Sequence, residues 1–312
     1  MGSSMWSDDS YKGRDAFRAV SGVKGFTTDY TKRVKESGAL PQVHEKMNPK
    51  GVKIRESRDS AAHPTSLPIA VFFDVTGSMG DIPITLQAKL GKLMKVILGS
   101  KYVEHPQVFF GAVGDATCDY VPLQVGQFES GVEMDEDISR IFIERMGGGQ
   151  NTESYELAAY FAQTRFATDA WEKRQKKGYI FFIGDERPYE SVYARLVRSV
   201  IGDDLQADIP TTKVFEQLRE RWNVFFLMPR SGAQHSGDLS IQTDWARYVG
   251  QNIIPLDDPD LICEAIALIV GLSEGTAKPG TSALDLVGSG LNAASAATVS
   301  RAVIRALNLE AD

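Results

Sequence analysis

The chain has 312 residues, of which 43% are hydrophobic and 24% charged. This composition is that of an ordinary globular protein with room for one large domain and extensions. The net charge of −7 is uneven, because residues 1–60 carry 12 Lys and Arg against 8 Asp and Glu, and the remaining 252 carry 22 against 33. The acidic body argues against a general nucleic-acid-binding protein and indicates cation binding. Cys118 and Cys263 lie too far apart in sequence to suggest a disulfide framework.

The N-terminal residues, "MGSSMWSDDSYKGRD", lack the apolar core of a signal peptide. No apolar run in the sequence approaches the roughly 20 residues of a membrane span. We therefore predict a cytoplasmic protein that does not bind membranes. Residues 1–66 are rich in Gly, Ser, Lys and Asp and show no apolar period. We interpret them as an N-terminal arm that orders only against the body or a partner.

Short apolar runs begin at Pro68 and alternate with helical segments. The runs lie at 68–74, 107–114, 178–185, 223–229 and 252–256. Continuous apolar runs of this length are typical of parallel strands covered on both faces. Residues 118–126 predict a short edge strand, because Pro122 cannot donate to a ladder. The pattern predicts an α/β domain over 67–272, with a doubly wound, mostly parallel six-stranded sheet and helices on both faces.

Two helical segments have clear signatures. One apolar face after the first strand is formed by Leu86, Leu90, Leu93, Met94 and Ile97. The last helix of the domain is predicted to begin with Asp258 as N-cap and Pro259 at its first position. Residues 273–312 are interpreted as a C-terminal linker followed by a helix of small residues.

Oxygen-bearing side chains follow two of the predicted strands. Asp74, Thr76 and Ser78 stand at alternate positions in "DVTGSM", and Asp185 closes "YIFFIGD". The carboxyl ends of strands in an open α/β sheet meet at a ligand-binding crevice. Two acids there would repel each other and lose hydration unless a cation lay between them. Such hard oxygen ligands suit Mg²⁺ or Mn²⁺.

The motif "DVTGSM", the order of strands and helices and the acidic end "GDE" resemble the von Willebrand factor type A family. The resemblance covers roughly residues 66–272. It implies a Rossmann-like fold with a metal-ion-dependent adhesion site (MIDAS) at the carboxyl edge of the sheet. The family pattern also implies a further ligand from "GGGQNTESYELAA", at 147–159. We favour Glu153 as this ligand, with Thr152 as the alternative.

Two more acids are assigned supporting roles by the same resemblance. Asp115 follows the second strand, and Glu186 follows Asp185. Both are interpreted as acceptors of hydrogen bonds from metal-bound water. The four histidines never approach ligand spacing and are expected to be incidental; they are His44, His63, His105 and His235.

Enzyme motifs do not account for the same residues. Thr76 stands where a phosphotransferase of the haloacid dehalogenase type would have its second aspartate. Ser78 is one residue out of register for the nucleophile of G-x-S-x-G. The sequence contains neither a P-loop nor H-E-x-x-H. We therefore predict no enzymatic activity.

The resemblance implies a metal-dependent protein-interaction module, in which an Asp or Glu carboxylate of a partner protein completes the coordination of the ion. One alternative is an assembly protein whose arm and tail contact neighbouring subunits. Another is an adaptor for a separate ATPase or kinase, a role that bacterial relatives often serve. Neither nucleic acid nor membrane is predicted as a partner.

Overall fold

The computed structural model describes residues 5–7, 9, 12, 29–90, 92–145 and 151–309, and the account below refers to them. Within these residues the chain forms twelve strands. Their bounds are β1 Arg55–Ser57, β2 Leu67–Asp74, β3 Pro106–Val113, β4 Leu123–Val125, β5 Thr152–Glu153, β6 Phe166–Thr168, β7 Gly178–Ile183, β8 Arg187–Pro188, β9 Ser191–Val192, β10 Ile209–Pro210, β11 Trp222–Pro229 and β12 Ile253–Leu256.

Twelve α-helices lie in the same part of the chain. Their bounds are α1 Asp29–Ser37, α2 Ile82–Leu90, α3 Leu93–Gly99, α4 Met134–Arg140, α5 Tyr155–Arg165, α6 Asp169–Arg174, α7 Ala194–Val200, α8 Thr211–Arg221, α9 Leu239–Val249, α10 Ile262–Glu274, α11 Ser282–Gly288 and α12 Ala293–Ala306. Short 3₁₀-helices occupy Glu45–Met47 and Pro259–Leu261. None of the helices in the described ranges combines the length and apolar character that crossing a membrane requires.

Six strands form the central sheet, in the order β12–β11–β7–β2–β3–β4. All neighbours are parallel except β4, which is antiparallel to β3 at one edge. The predicted doubly wound, mostly parallel six-stranded sheet is therefore confirmed. The edge strand expected within 118–126 is also present, although it spans only Leu123–Val125.

Helices cover both faces of the sheet, and the central strand β2 is buried along its whole length. Ile69, Val71 and Phe73 point into a core shared with α2, α3 and α10. Ala70 and Phe72 point into a second core shared with α5, α8 and α9. This alternation is the period of two expected of a strand between two helical layers. It fixes the direction in which β2 delivers Asp74 to the edge of the sheet.

The helix signatures in the sequence are found with two differences. The apolar face after β2 is divided between two helices, since α2 ends at Leu90 and α3 begins at Leu93. The five residues of that face are fully buried. Asp258 is a side-chain N-cap, accepting from the backbone N–H of Asp260, and Pro259 follows it. It caps the 3₁₀-helix Pro259–Leu261, however, and α10 begins only at Ile262, without a side-chain cap.

Parts of both predicted extensions pack against the sheet domain. In the predicted arm, β1 pairs in parallel with β6, and Met47 is fully buried in the main core. In the predicted tail, α12 lies against β12 and α10, with Val299 and Val303 in the same core. Residues 13–28 of the arm lie outside the described residues.

Adjacent parallel strands bring two loops together at the carboxyl edge. β2 and β7 are neighbours, and Phe73 is in register with Ile183. The residues that follow each strand, Asp74 and 184–186, therefore leave the sheet side by side. This is the place where the sequence predicts a cation site.

Candidate metal centre

The carboxylate of Asp74 is held in place at the end of β2. Its Oδ1 accepts hydrogen bonds from the Thr76 backbone N–H at 2.8 Å and from the Thr76 hydroxyl at 2.6 Å. Its Oδ2 accepts from the hydroxyl of Tyr155, the first residue of α5, at 2.8 Å. Tyr155 is itself fully buried and packs edge-on against Trp245. Because Asp74 is fully buried and both its oxygens have donors, the orientation of the carboxylate is fixed.

A chain of hydroxyl and carboxylate groups continues from Thr76 towards β7. Thr76 Oγ1 lies 3.2 Å from Ser78 Oγ, and the Ser78 hydroxyl donates to Asp185 Oδ1 at 2.9 Å. The backbone N–H of His235, in the loop after β11, donates to Asp185 Oδ2 at 2.9 Å. The structure thus brings Asp74, Thr76, Ser78 and Asp185 into one hydrogen-bonded network, as residues from two neighbouring loops.

Asp74, Glu153 and Glu186 form a group of three buried acids, called the acidic triad below. They come from the end of β2, from β5 and from the loop after β7. One carboxylate oxygen of each lies within 4.8 Å of those of the other two. Among the described residues, Glu153 Oε2 and Glu186 Oε2 have no hydrogen-bond partner. Since buried oxygens without donors are costly, the triad is suited to a positively charged ligand.

Burial and the charge of neighbouring acids raise the pKa of all three carboxyl groups. Burial, followed by the charge of Asp185, raises the pKa of Asp74 to about 8. Burial, followed by the charge of Asp74, raises the pKa of Glu153, which also shares a hydrogen bond with Glu186. Burial is likewise the largest cause of the raised pKa of Glu186. The triad therefore holds protons more strongly than ordinary carboxyl groups do, and a bound cation would replace them.

The ligand atoms around the triad fit a small divalent cation. The carboxylates and the nearby hydroxyls of Thr76 and Ser78 offer only oxygen, which Mg²⁺ and Mn²⁺ prefer. Among the described residues, the basic side chain within 4.0 Å of a triad carboxylate is that of His235, whose Nε2 lies 3.4 Å from Glu186 Oε1.

Asp185 and Glu186, the two adjacent acids after β7, lie in different places relative to the triad. Glu186, predicted as an acceptor of hydrogen bonds from metal-bound water, is a member of the triad. Asp185, predicted as a ligand, lies beside the triad, and each of its oxygens accepts a hydrogen bond, from Ser78 and from the His235 backbone. The sequence shows two acids at this strand end, and only the path of the loop decides which of them meets Asp74 and Glu153.

The loop between the two strand ends supplies Glu153 to the triad. Glu153 is 3% exposed, whereas its neighbour Thr152 is half-buried and pairs with Arg187 between β5 and β8. The Gly-rich part of the predicted loop, 147–149, lies outside the described residues. Of the two alternatives for the loop ligand, Glu153 is therefore the one whose carboxylate is placed among the other acids.

Asp115 lies close to the triad without belonging to it. It follows β3 and is buried. Its carboxylate accepts from the hydroxyl of Tyr189 at 3.0 Å and from that of Thr117 at 2.8 Å. The charge of Asp115 contributes to the raised pKa of Glu186. Its role as an acceptor for metal-bound water stays a prediction.

The centre is also shaped by three residues that the sequence motifs do not identify, namely Gly184, Tyr155 and His235. Gly184 leaves the space that Tyr155 fills, because a Cβ there would lie 1.7 Å from the Tyr155 hydroxyl oxygen and 3.2 Å from Asp74 Cβ. His235 was expected to be incidental, which is wrong for its position beside Asp185 and Glu186. The sequence does show Gly184 between an apolar strand and an acid. It does not show that Tyr155, in another segment, requires a glycine at this position.

Comparisons with known proteins concern the overall fold. No protein-family model matches the chain, and no curated protein matches it. Solved structures do match, and the three described below are 9% to 13% identical to this chain. The pilus adhesin SpaC from Lactobacillus rhamnosus GG, in its open conformation, is similar at 9% identity and a TM-score of 0.46, over 73% of this chain and 31% of the adhesin. The chain thus spans about a third of the adhesin's length.

Two further solved structures are also similar to this chain. The von Willebrand factor type A protein from Catenulispora acidiphila is 13% identical, with a TM-score of 0.38 over 68% of this chain and 43% of that one. The conserved hypothetical protein BatB from Bacteroides thetaiotaomicron is 12% identical, with a TM-score of 0.42 over 68% of this chain and 100% of that one. The family that the "DVTGSM" motif resembles is therefore represented among the solved structures similar to this chain.

Proposed function

We propose that this protein is a metal-dependent protein-interaction module whose acidic triad holds Mg²⁺ or Mn²⁺. The observation that supports the proposal is the triad itself: Asp74, Glu153 and Glu186 are buried, and their oxygens lie within 4.8 Å of one another. Among the described residues, Glu153 and Glu186 each have one carboxylate oxygen without a hydrogen-bond partner. A purely structural cluster of acids would need donors or cations of its own, because unpaired buried charge is unstable.

The residues of the centre would have distinct roles. Asp74, Glu153 and Glu186 would hold the ion, with the hydroxyls of Thr76 and Ser78 nearby. When bound, the ion supplies a positive charge that an Asp or Glu carboxylate of a partner protein can meet. Three carboxylates neutralise more of the ion's positive charge than two would. We therefore expect the contact between the ion and a partner carboxylate to be of moderate strength.

Neighbouring residues would keep these groups in position. Tyr155 fixes the carboxylate of Asp74, and Asp185 accepts from the hydroxyl of Ser78. Ser78 is half-buried and Gly77 is exposed, so the centre reaches the surface on the side of the loop after β2. A partner would therefore approach over this loop, and the proposed role is one of binding rather than catalysis.

A calorimetric metal titration tests the metal site. We expect the wild-type protein to bind one Mg²⁺ or Mn²⁺. Asp74→Asn should lose about 100-fold or more in metal affinity, because removing a metal ligand weakens binding at least as much as removing a group that supports one. Affinity should rise with pH, since the raised pKa of Asp74 means that the ion displaces protons. Asp204→Asn, which changes an exposed acid on another surface, is the control.

Two further variants separate the adjacent acids in the same titration. Glu186→Gln removes a member of the triad and should weaken metal binding as strongly as Asp74→Asn. Asp185→Asn keeps the shape of a side chain that already accepts two hydrogen bonds, and should weaken binding less. Wild-type affinity in Asp74→Asn would contradict the proposed metal site.

Binding of an acidic probe tests the interaction role. A fluorescent Gly/Ser peptide with a single Asp should bind the wild-type protein in Mg²⁺, and binding should be lost on chelation. The same peptide with Asn should not bind, because the contact depends on a charged carboxylate. Binding that persists in chelator or in Asp74→Asn would show that the peptide is held elsewhere.

A further inference from the structure

A surface groove begins beside the proposed metal centre. Its first part is an open depression of about 620 Å³, lined by Gly77, Gly80, Asp81, Ile82, Arg145 and Gly232. The glycines leave this part free of side chains next to Ser78. Gly80 has a φ of +56°, and a Cβ there would lie 2.9 Å from the carbonyl oxygen of Gly232. A larger residue at Gly80 is therefore unfavourable both for the backbone and for the space available.

Arg145 connects this depression to a second one. The second depression has a volume of about 440 Å³ and is lined by Thr31, Lys32, Lys35, Glu36, Ile84, Ile143 and Arg145. Arg145 is thus the residue that both share, so a chain leaving the metal centre along the first depression would pass over it. Ile82 and Ile84 place apolar side chains along the same path.

The backbone of Arg145 is anchored to the loop that carries the metal ligands. Its N–H donates to the carbonyl of Val75 at 3.1 Å. Its φ of +54° is in the left-handed region, which is uncommon for a residue other than glycine. Such a backbone is kept only where surrounding contacts impose it, and it is often found at functional sites. The backbone of Arg145 therefore lies next to the loop that carries Asp74, Thr76 and Ser78.

The guanidinium of Arg145 has a partner that can be exchanged. It forms an ion pair with Asp81, whose side chain is 88% exposed, while that of Arg145 is 41% exposed. Ion pairs between such exposed groups contribute little to stability. A carboxylate from a bound partner could therefore replace Asp81 at small cost.

The charge of the groove favours an acidic occupant. Its walls carry Lys32, Lys35 and Arg145 against Glu36 and Asp81, on a protein whose net charge is −7. Lys32 and Glu36 are 3.7 Å apart and mostly exposed, so their pairing is also weak. A polypeptide with spaced acids and small apolar residues would complement both the charge and the apolar side chains of the groove.

We propose that this groove takes an extended acidic segment of a partner protein, with one carboxylate at the metal centre and a second at Arg145. The second carboxylate displaces Asp81 from the guanidinium, and Lys35 favours further acids along the same path. This inference rests on the proposed function, because the first carboxylate needs the metal ion. It adds that the partner is recognised by two acids rather than one.

Matched peptides test the inference, together with two variants that are expected to change peptide binding in opposite directions. The probes are fluorescent Gly/Ser peptides with one Asp, or with a second Asp at increasing spacing, titrated in Mg²⁺. At the best spacing we expect the second Asp to strengthen binding about fivefold, as a charge-assisted contact at a partly exposed site allows. Arg145→Gln should remove this gain, whereas Asp81→Asn should increase it by freeing the guanidinium. Arg198→Gln, at an exposed ion pair on another surface, is the control.

The outcomes separate this inference from the proposed function. If single-Asp and double-Asp peptides bind equally well in Mg²⁺, or Arg145→Gln keeps the gain, the groove inference is overturned and the metal-dependent module stands. If the peptides fail to bind in Mg²⁺, both are overturned. Opposite effects of Arg145→Gln and Asp81→Asn cannot come from general loss of folding, so that result supports the inference.

Discussion

Replacing Glu153 with glutamine should stabilise the metal-free protein at neutral pH and abolish its response to Mg²⁺. Glu153 is buried, lies among like charges and shares a hydrogen bond with Glu186. A glutamine amide would donate to Glu186 permanently and would need no bound proton. We expect a gain of roughly 2 kcal/mol at neutral pH, or roughly 4 °C in Tm, in thermal unfolding with chelator present.

The pH dependence gives the sign of this effect. The pKa of Glu153 is raised above its ordinary value of 4.5, so the folded state binds a proton that the unfolded state releases. Stability of the metal-free wild type should therefore fall as pH rises above about 4.5. Below that pH both states bind the proton, and the wild type and Glu153→Gln should be equally stable. The difference should grow steadily from pH 5 to about 8.

Glu144→Gln is the matched control for this variant. Glu144 is also buried, and burial followed by the charge of Asp119 raises its pKa to about 7. It accepts from the backbone N–H of Val121 and lies outside the triad. It should gain some stability at high pH and keep the Mg²⁺-induced rise in Tm. That rise reflects a stabilisation of about 2.7 kcal/mol at a hundredfold excess of Mg²⁺ over Kd. A Glu153→Gln protein that kept this rise would contradict the role of Glu153.

Replacing Gly184 with alanine should be strongly destabilising and should weaken metal binding. The new Cβ would lie 1.7 Å from the Tyr155 hydroxyl oxygen, so Tyr155 or the strand end must move. Tyr155 is packed against Trp245 and donates to Asp74, and either movement breaks these contacts. We expect a loss of roughly 3 kcal/mol in the free energy of unfolding, as for other overpacked core sites. Denaturant unfolding and the metal titration measure the two effects.

Two variants show whether the clash with Tyr155 is the cause. Gly99→Ala, at the end of α3, is the control because a Cβ there meets no atom within 4 Å, and it should be nearly neutral. Adding Tyr155→Phe to Gly184→Ala removes the clashing oxygen and should recover part of the stability. Recovery should be incomplete, since the ring carbon Cζ would still lie 2.8 Å from the new Cβ. If Tyr155→Phe gives no recovery, the loss has another origin.

The five parallel strands of the sheet could be predicted because each is covered by helices on both faces. Such strands must be apolar along their length, and β2 is buried at all eight positions. Because the rest of β2 is almost entirely apolar, the polar residue Asp74 marks the end of the strand in the sequence. The residues of the "DVTGSM" motif are contiguous, so their proximity follows from the chain itself. The fold class and the position of the candidate site were therefore determined by the sequence alone.

The tertiary structure decided which groups from distant segments meet. Tyr155 donates to a residue 81 positions away, and Ser78 donates across 107 positions. The path of the loop after β7 decides that Glu186, and not Asp185, joins the triad. The path of a different loop decides that Arg145 lies beside Val75. Local periodicity reports how buried each face of an element is. It carries no information on how loops from distant segments are placed relative to one another. That placement determines which donors reach Asp74, which carboxylate oxygens of the triad have no partner, and where the groove lies.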